Sequence, residues 1–107
     1  MPAECQKAIN WQNAFSNLDK DIAIQGVVKN VTHRPQINGR PTYIDIGGAF
    51  PDKNRLTLVI WGDDLNKFNT DFINSLKGKK LCILGKVKEY KNIPQVFLNN
   101  PKQIYEY

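Results

Sequence analysis

The sequence predicts a mainly β fold: a five-stranded Greek-key barrel with one helix between the third and fourth strands and a short helix ahead of the first. Three observations carry this reading. Five segments show strand patterning between turn signals. One segment, between the third and fourth of these, shows helical spacing. Glycines stand inside the first and fourth strands, where a small sheet must bend if it is to close on itself. The 107 residues suit a single domain. We divide the chain into an N-terminal extension with a short helix, residues 1–20, and a barrel domain, residues 21–107.

Residues 1–10 carry no clear pattern and are expected to be loosely attached. Asn10 can cap a short helix in which Trp11, Phe15 and Leu18 fall at i, i+4 and i+7, a stripe suited to packing against the body. DIAIQGVVKNV (21–31) alternates at Ile22 and Ile24, breaks at Gly26 and resumes in a changed phase, as at a bulge or bend. THRPQINGRP (32–41) is a loop with Asn38-Gly39 as its turn signal. TYIDIGG (42–48) is the second strand, AFPDKN turns the chain, and RLTLVIWG (55–62) is the third strand. Asp63 or Asp64 can then cap one helix that places Leu65, Phe68, Phe72 and Leu76 on one face and ends at Gly78. KKLCILGKVKEY and IPQVFLN form the closing hairpin around Lys91-Asn92, and Ile104 begins a short tail. This order is the layout of an OB-fold. An SH3-like barrel fits less well, because it does not ordinarily insert a helix at this place.

The net charge is +5, and it is unevenly distributed. Residues 77–102 hold seven lysines against Glu89 alone, a net +6, while the remainder holds eight basic and nine acidic residues. A clustered excess suits an anionic partner. Lysines on exposed strands also discourage edge-to-edge pairing, which would need no partner. No stretch approaches the roughly 18 apolar residues of a membrane helix. Met1–Glu4 does not open like a secretory leader, so the chain as given reads as cytoplasmic; removal of an upstream signal would make it an exported protein. Cys5 and Cys82 match no zinc or redox spacing. Cys82 lies in an apolar run and reads as a small buried hydrophobe rather than a disulfide partner.

Nothing in the chain points to catalysis, a cofactor or a metal. A single histidine, His33, cannot form a ligand pair, and no glycine-rich phosphate loop occurs. Asp63-Asp64 suits a helix start better than a carboxylate pair. Asp45 and Asp52 with Arg55 are a thin basis for a nuclease centre.

GKKLCILGKVKEYKNIPQVFLNNPKQI resembles the C-terminal hairpin of OB-fold nucleic-acid-binding domains of the tRNA-anticodon and exonuclease-VII type. The matching features are Gly78-Lys79 opening the fourth strand, Gly85-Lys86-Val87 within it, Pro94-Gln95 after the basic turn, and Pro101-Lys102-Gln103-Ile104. TYIDIGG with LTLVIWGDDLNKF is similar to small bacterial proteins of this fold assigned to nucleic-acid binding, some of them exported. The resemblance spans residues 20–105. It implies a non-catalytic module that binds single-stranded DNA or RNA with low sequence specificity. The alternative it leaves open is a protein- or oligosaccharide-binding OB module of the cell envelope.

An OB-fold binds along its second and third strands, between the loops joining strands 1–2 and 4–5. Alternation sends Leu81, Ile83, Gly85 and Val87 inward and Cys82, Leu84, Lys86, Lys88 and Tyr90 outward. Ile44 and Ile46 face in, Tyr43 and Asp45 out. Leu56, Leu58 and Ile60 make the better core set, which exposes Arg55, Thr57, Val59 and Trp61. Phe97 also points out, as a cover for the barrel. The expected nucleic-acid contacts are therefore Arg34 and Arg40 in the first loop, Tyr43, Arg55 and Trp61 on the face, Lys86, Lys88 and Tyr90 on the fourth strand, and Lys91 at the hairpin tip. Such a set joins stacking platforms to cations that follow the phosphates. An exposed Asp45 would oppose a phosphate.

Overall fold

The computed structural model describes residues 1–107. Seven strands form: β1 (Ile9–Asn10), β2 (Asp21–His33), β3 (Thr42–Ile46), β4 (Leu56–Ile60), β5 (Lys80–Tyr90), β6 (Ile93–Phe97) and β7 (Ile104–Glu106). The five expected strands are β2 to β6, and they close a barrel in the order β2-β3-β4-β6-β5, with β5 returning to β2. β4 and β6 run parallel; the other barrel pairings are antiparallel.

Closure depends on two long strands that change partners. Asp21–Val27 of β2 pairs with Lys80–Lys86 of β5, whereas Val28–His33 pairs with Thr42–Ile46 of β3. The register slips between Val28 and Asn30, so Lys29 is the extra residue of a bulge. The expected bend is here, and Gly26 serves it: any side chain at Gly26 would collide with Ile46. In β5, Gly85 lies against Val96, close to where the strand passes from β2 to β6 at Val87–Tyr90. Ile24, Ile44, Ile46, Leu58, Ile60, Leu81, Ile83, Val87, Val96 and Leu98 fill the interior, as the alternation predicts.

Two expectations fail. The single helix after β4 is two short ones, α1 (Gly62–Leu65) and α2 (Thr70–Asn74). Asn69 interrupts it: its side-chain oxygen accepts a hydrogen bond from the Phe72 N–H at 3.1 Å and starts a new helix. Asn side chains favour this local bonding over helix interiors. The expected apolar face survives in part: Phe68 and Leu76 are buried in the core and Leu65 and Phe72 pack against it half-buried, while Ile73, not expected on that face, is fully buried.

The second failure concerns the N-terminus. Residues 1–10 are not loose. Ala3–Lys7 form a 3-10 turn, β1 pairs in parallel with Ile24–Gln25 of β2, and Cys5 and Cys82 form a disulfide. The expected helix of residues 11–18 is a 3-10 helix, Trp11–Asn17, that leaves Phe15 45% exposed. Cys82 is buried and on the outer surface of the barrel, both as expected, but it is a disulfide partner, against the expectation of a plain buried hydrophobe. Alternation put Cys82, Leu84 and Ala23 outside, and those apolar side chains require a cover. The N-terminal segment and Tyr105 of β7 supply it, in a small second cluster of Cys5, Ala23 and Cys82 packed by Ala8, Leu84 and Tyr105.

Candidate functional site

The registers set out the outer face of the barrel row by row. Cross-strand partners share a face. Thr32, Tyr43, Val59 and Phe97 therefore make one row across β2, β3, β4 and β6. Asn30, Asp45, Thr57, Gln95 and Lys88 make the next, which reaches β5. Apart from Thr32 the first row is apolar or aromatic, and the second is polar.

Trp61 follows β4 immediately and extends the aromatic row. Its ring stacks on Phe97 with centroids 6.0 Å apart and planes 30° apart, a favoured aromatic arrangement. Both rings stay 41% exposed. The loop of residues 34–41 rests on the same ring. Gly39, at φ +84°, lies so close that a Cβ would stand 3.0 Å from the indole, and the Gly62 N–H donates to the Gly39 carbonyl at 2.9 Å. Only glycine gives that conformation with that approach. Tyr43, one strand over, is half-buried.

Asp45 and Arg55 depart from expectation together. Asp45 is buried, and its carboxylate accepts from Thr57 Oγ1 at 3.2 Å and from the Phe50 N–H at 2.9 Å, with Arg55 Nε 3.7 Å away. It offers no bare negative charge to a ligand. Arg55 is a wall of this arrangement: it also donates to Thr57 Oγ1 and to the Asp52 carbonyl, lies 5.3 Å from the Phe50 ring centroid, and its side chain is only 12% exposed. Thr57 and Val59, expected outside and open, are buried because β4 has strands on both sides and larger neighbours, Arg55 over Thr57 and Tyr43 and Phe97 beside Val59.

The remaining cations fall into two groups. Arg40 pairs with Asp63 at 2.6 Å and Lys88 with Asp19 at 2.8 Å, all four side chains open to solvent. Arg34, Lys86 and Lys91 are exposed, and no carboxylate lies within ion-pair distance of them. Lys91 Nζ lies 5.3 Å from the ring centroid of Tyr90, which is 57% exposed. Lys91 and Asn92 both have positive φ, +50° and +66°, the signature of a tight I′ hairpin turn. His33 is structural: its ring nitrogens lie 2.8 Å from Thr42 Oγ1 and 2.7 Å from Asn74 Oδ1, joining β2 to β3 and α2.

The face thus has two ends. Arg40, Trp61 and Phe97 cluster at the 34–41 loop. Lys88, Tyr90 and Lys91 lie toward the hairpin tip, with Lys86 between. From the level of Trp61 to that of Tyr90 is about six residues along the strands, or roughly 20 Å at about 3.3 Å each. The sequence set Phe97 outside only as a cover and Asp63 only as a helix start, and it did not mark Asp19 and Asp63 as counter-charges. The parallel β4–β6 register that joins Phe97 to Trp61 leaves no local signal.

The Asp19–Lys88 pair makes a measurable prediction. The hydrogen bond from Lys88, and then its charge, hold the Asp19 carboxyl below its ordinary pKa. A carboxylate held low stabilises the fold above its unfolded-state value and loses that contribution as pH falls through the folded-state value. The bridge is therefore intact at neutral pH and opens in acid. In a binding titration Asp19→Asn should free Lys88 and tighten any anionic ligand on this face by roughly two- to fivefold, the scale of an exposed pair. Unchanged or weaker binding would show that Lys88 takes no part.

No protein-family model matches the chain, and no curated protein does. Solved structures do. One is an OBody, AM1L10, solved bound to hen egg-white lysozyme, with TM-score 0.62 and 14% identity over 94% of this chain and 93% of its own. A second, from Leishmania major Friedlin, carries the provisional name of an aspartyl-tRNA synthetase; the TM-score is 0.59 at 8% identity, over 92% of this chain and only 20% of that one. A third is a lipoprotein from Klebsiella pneumoniae subsp. pneumoniae, provisionally named nucleic acid-binding, with TM-score 0.56 and 12% identity over 100% of this chain and 99% of its own. At these identities the likeness is one of fold: the chain is a mainly β, closed five-stranded barrel of OB type.

Proposed function

We propose that this chain is a non-catalytic OB-fold module that holds a single strand of nucleic acid, DNA or RNA, with low sequence specificity. The strand lies across β3, β4 and β6, between the 34–41 loop and the 91–92 turn. The observation that carries this reading is the solvent-open Trp61–Phe97 stack, seated against one basic loop and in line with the lysines of β5. Every base has a face that can stack, so exposed aromatic platforms flanked by cations bind strands with little regard to sequence. Asp45, the one carboxylate within the two cross-strand rows, is already paired with Arg55 and buried. A face of roughly 20 Å suits a site near the lower end of the about 4–16 nucleotides that an OB-fold takes.

Arg34, Lys86 and Lys91 supply about three phosphate contacts. At about −0.7 per contact on single strands, log affinity should fall with log salt at a slope near −2. Fluorescence anisotropy of labelled oligonucleotides at several salt concentrations measures it. Binding at low salt with that slope supports the reading; no binding, or binding indifferent to salt, refutes it.

The disulfide favours a second reading. Such bonds form and persist mainly in oxidising compartments, and Cys5–Cys82 is buried in its own cluster. The second reading is an exported module of the cell envelope that binds a protein or oligosaccharide on the same face. Saturable binding of a neutral oligosaccharide, with no oligonucleotide binding at low salt, would establish it over the first.

A further inference from the structure

We propose a second ligand site at the other end of the barrel, where Trp11, Lys29 and Lys80 frame an open pocket for a flat-ringed anion of nucleoside-monophosphate size. The 34–41 loop precedes β3, whereas this pocket borders Gly47, just after β3 ends. Its volume is about 340 Å³, at the small end of the about 300–1,000 Å³ of ligand pockets.

Three elements converge on it. The N-terminal segment contributes Asn10, Trp11 and Gln12, β2 contributes Gln25 and the bulged Lys29, and β5 contributes Lys80. The six-membered ring of the indole lies against Gly47, where a Cβ would collide with Cδ2, Cε2 and Cζ2, and its Cδ1 edge crowds Gly26. Gly47 also has φ +81°. Two glycines thus form a flat seat for one side of the ring, and the half-buried indole still lines the open pocket.

The charges point to an anion. Arg40, Arg55, Lys67, Lys79 and Lys88 are each paired with a carboxylate. Lys29 and Lys80 have no such partner, and no acidic residue lines the pocket. Lys80 Nζ instead stands 4.8 Å from the ring centroid of Tyr107, which steadies the side chain without neutralising it. Asn10 and Gln12 form no side-chain hydrogen bond within the chain, whereas Gln25 Nε2 is held by the Ala8 carbonyl at 3.1 Å. An aromatic platform, two unpaired ammonium groups and two free amides together match a base or similar ring that carries a phosphate.

The site does not depend on strand binding at the sheet face. The chain has two tryptophans, so Trp61→Phe leaves Trp11 as the only indole reporter. That variant is titrated with a nucleoside 5′-monophosphate, the corresponding nucleoside, and inorganic phosphate. The nucleotide should change Trp11 fluorescence saturably. The Lys29→Gln, Lys80→Gln double variant should bind it about tenfold more weakly, as loss of about 1.4 kcal/mol would give, and neither the nucleoside nor phosphate alone should reproduce the binding. In the unmutated protein, the Gly26 and Gly47 amide resonances should shift with the nucleotide while those of Phe97 and Tyr43 do not. That measurement stands even if Trp61→Phe fails to fold. No saturable change into the tens of millimolar, equal binding by the lysine variant, or saturation by a neutral oligosaccharide in place of the nucleotide overturns the proposal. Failure of the oligonucleotide titration on the sheet face leaves these outcomes unaffected.

Discussion

Removing the disulfide, by Cys5→Ser with Cys82→Ser, should cost the fold about 4 kcal/mol. The bond joins residues 77 positions apart, and closing a loop of that length in the unfolded chain corresponds to roughly 4–4.5 kcal/mol in the chain-entropy account. A domain of this size has only about 5–15 kcal/mol in total, so the melting temperature should drop by roughly 15–30 °C. Urea melts of the oxidised protein, the reduced protein and the double variant would measure it. The reduced protein and the variant should coincide, both well below the oxidised form. A difference under about 1 kcal/mol would show that pairing of β1 with β2 holds the N-terminal segment unaided. The Trp11 pocket should suffer with it, because its floor belongs to the tethered segment, whereas the Trp61–Phe97 face should not.

Truncating the aromatic pair should produce the largest loss of binding. Trp61→Ala and Phe97→Ala should each weaken oligonucleotide affinity by about 1–3 kcal/mol, or roughly 5- to 150-fold, the range for a lost base stack. The two rings touch, so the double variant should fall short of the product of the single effects. Trp61→Phe should retain most of the affinity. Phe15→Ala removes an equally exposed ring that stands on the 3-10 helix of residues 11–17 and not in the sheet rows, and should leave binding unchanged. If Trp61→Ala and Phe15→Ala behave alike, the stack is a cover for the barrel and not a platform.

The barrel was legible because its signals are local. Strict alternation of Ile44 with Ile46 and of Leu81, Ile83 and Val87 decides which face is inside, and Gly26 and Gly85 stand close to where the long strands change partners. What escaped the sequence depends on partners remote in the chain. Cys82 was read correctly as buried, but what buries it is a segment that begins at residue 3. The two-residue β1 and three-residue β7 are too short to show a period. Asn69 was lost within an apolar spacing that persists on both sides of the break. At the candidate site, alternation correctly set Tyr43, Trp61, Lys86, Lys88 and Tyr90 on the outer surface, yet it could not separate open cations from committed ones. Arg55 turns to Asp45, Arg40 to Asp63 and Lys88 to Asp19, each a pairing across different elements. Lys29 and Lys80 were passed over for the same reason: being unpaired is a property of the assembled surface.

The partner exchange along β2 also governs when this protein can fold. Its second half can zip onto β3 as soon as the 34–41 loop closes, a local event. Its first half has only the two-residue pairing with β1 until Lys80–Lys86 arrives, and Cys5 has no thiol to meet until Cys82 exists. Contacts of such long sequence separation make folding slow, on the millisecond-to-second scale, because the loop must close before any contact rewards it. During synthesis the N-terminal segment therefore has no more than that short parallel pairing to hold it until β5 appears. The latch between Cys5 and Cys82 cannot be set before residue 82 has been made and brought to the N-terminal segment.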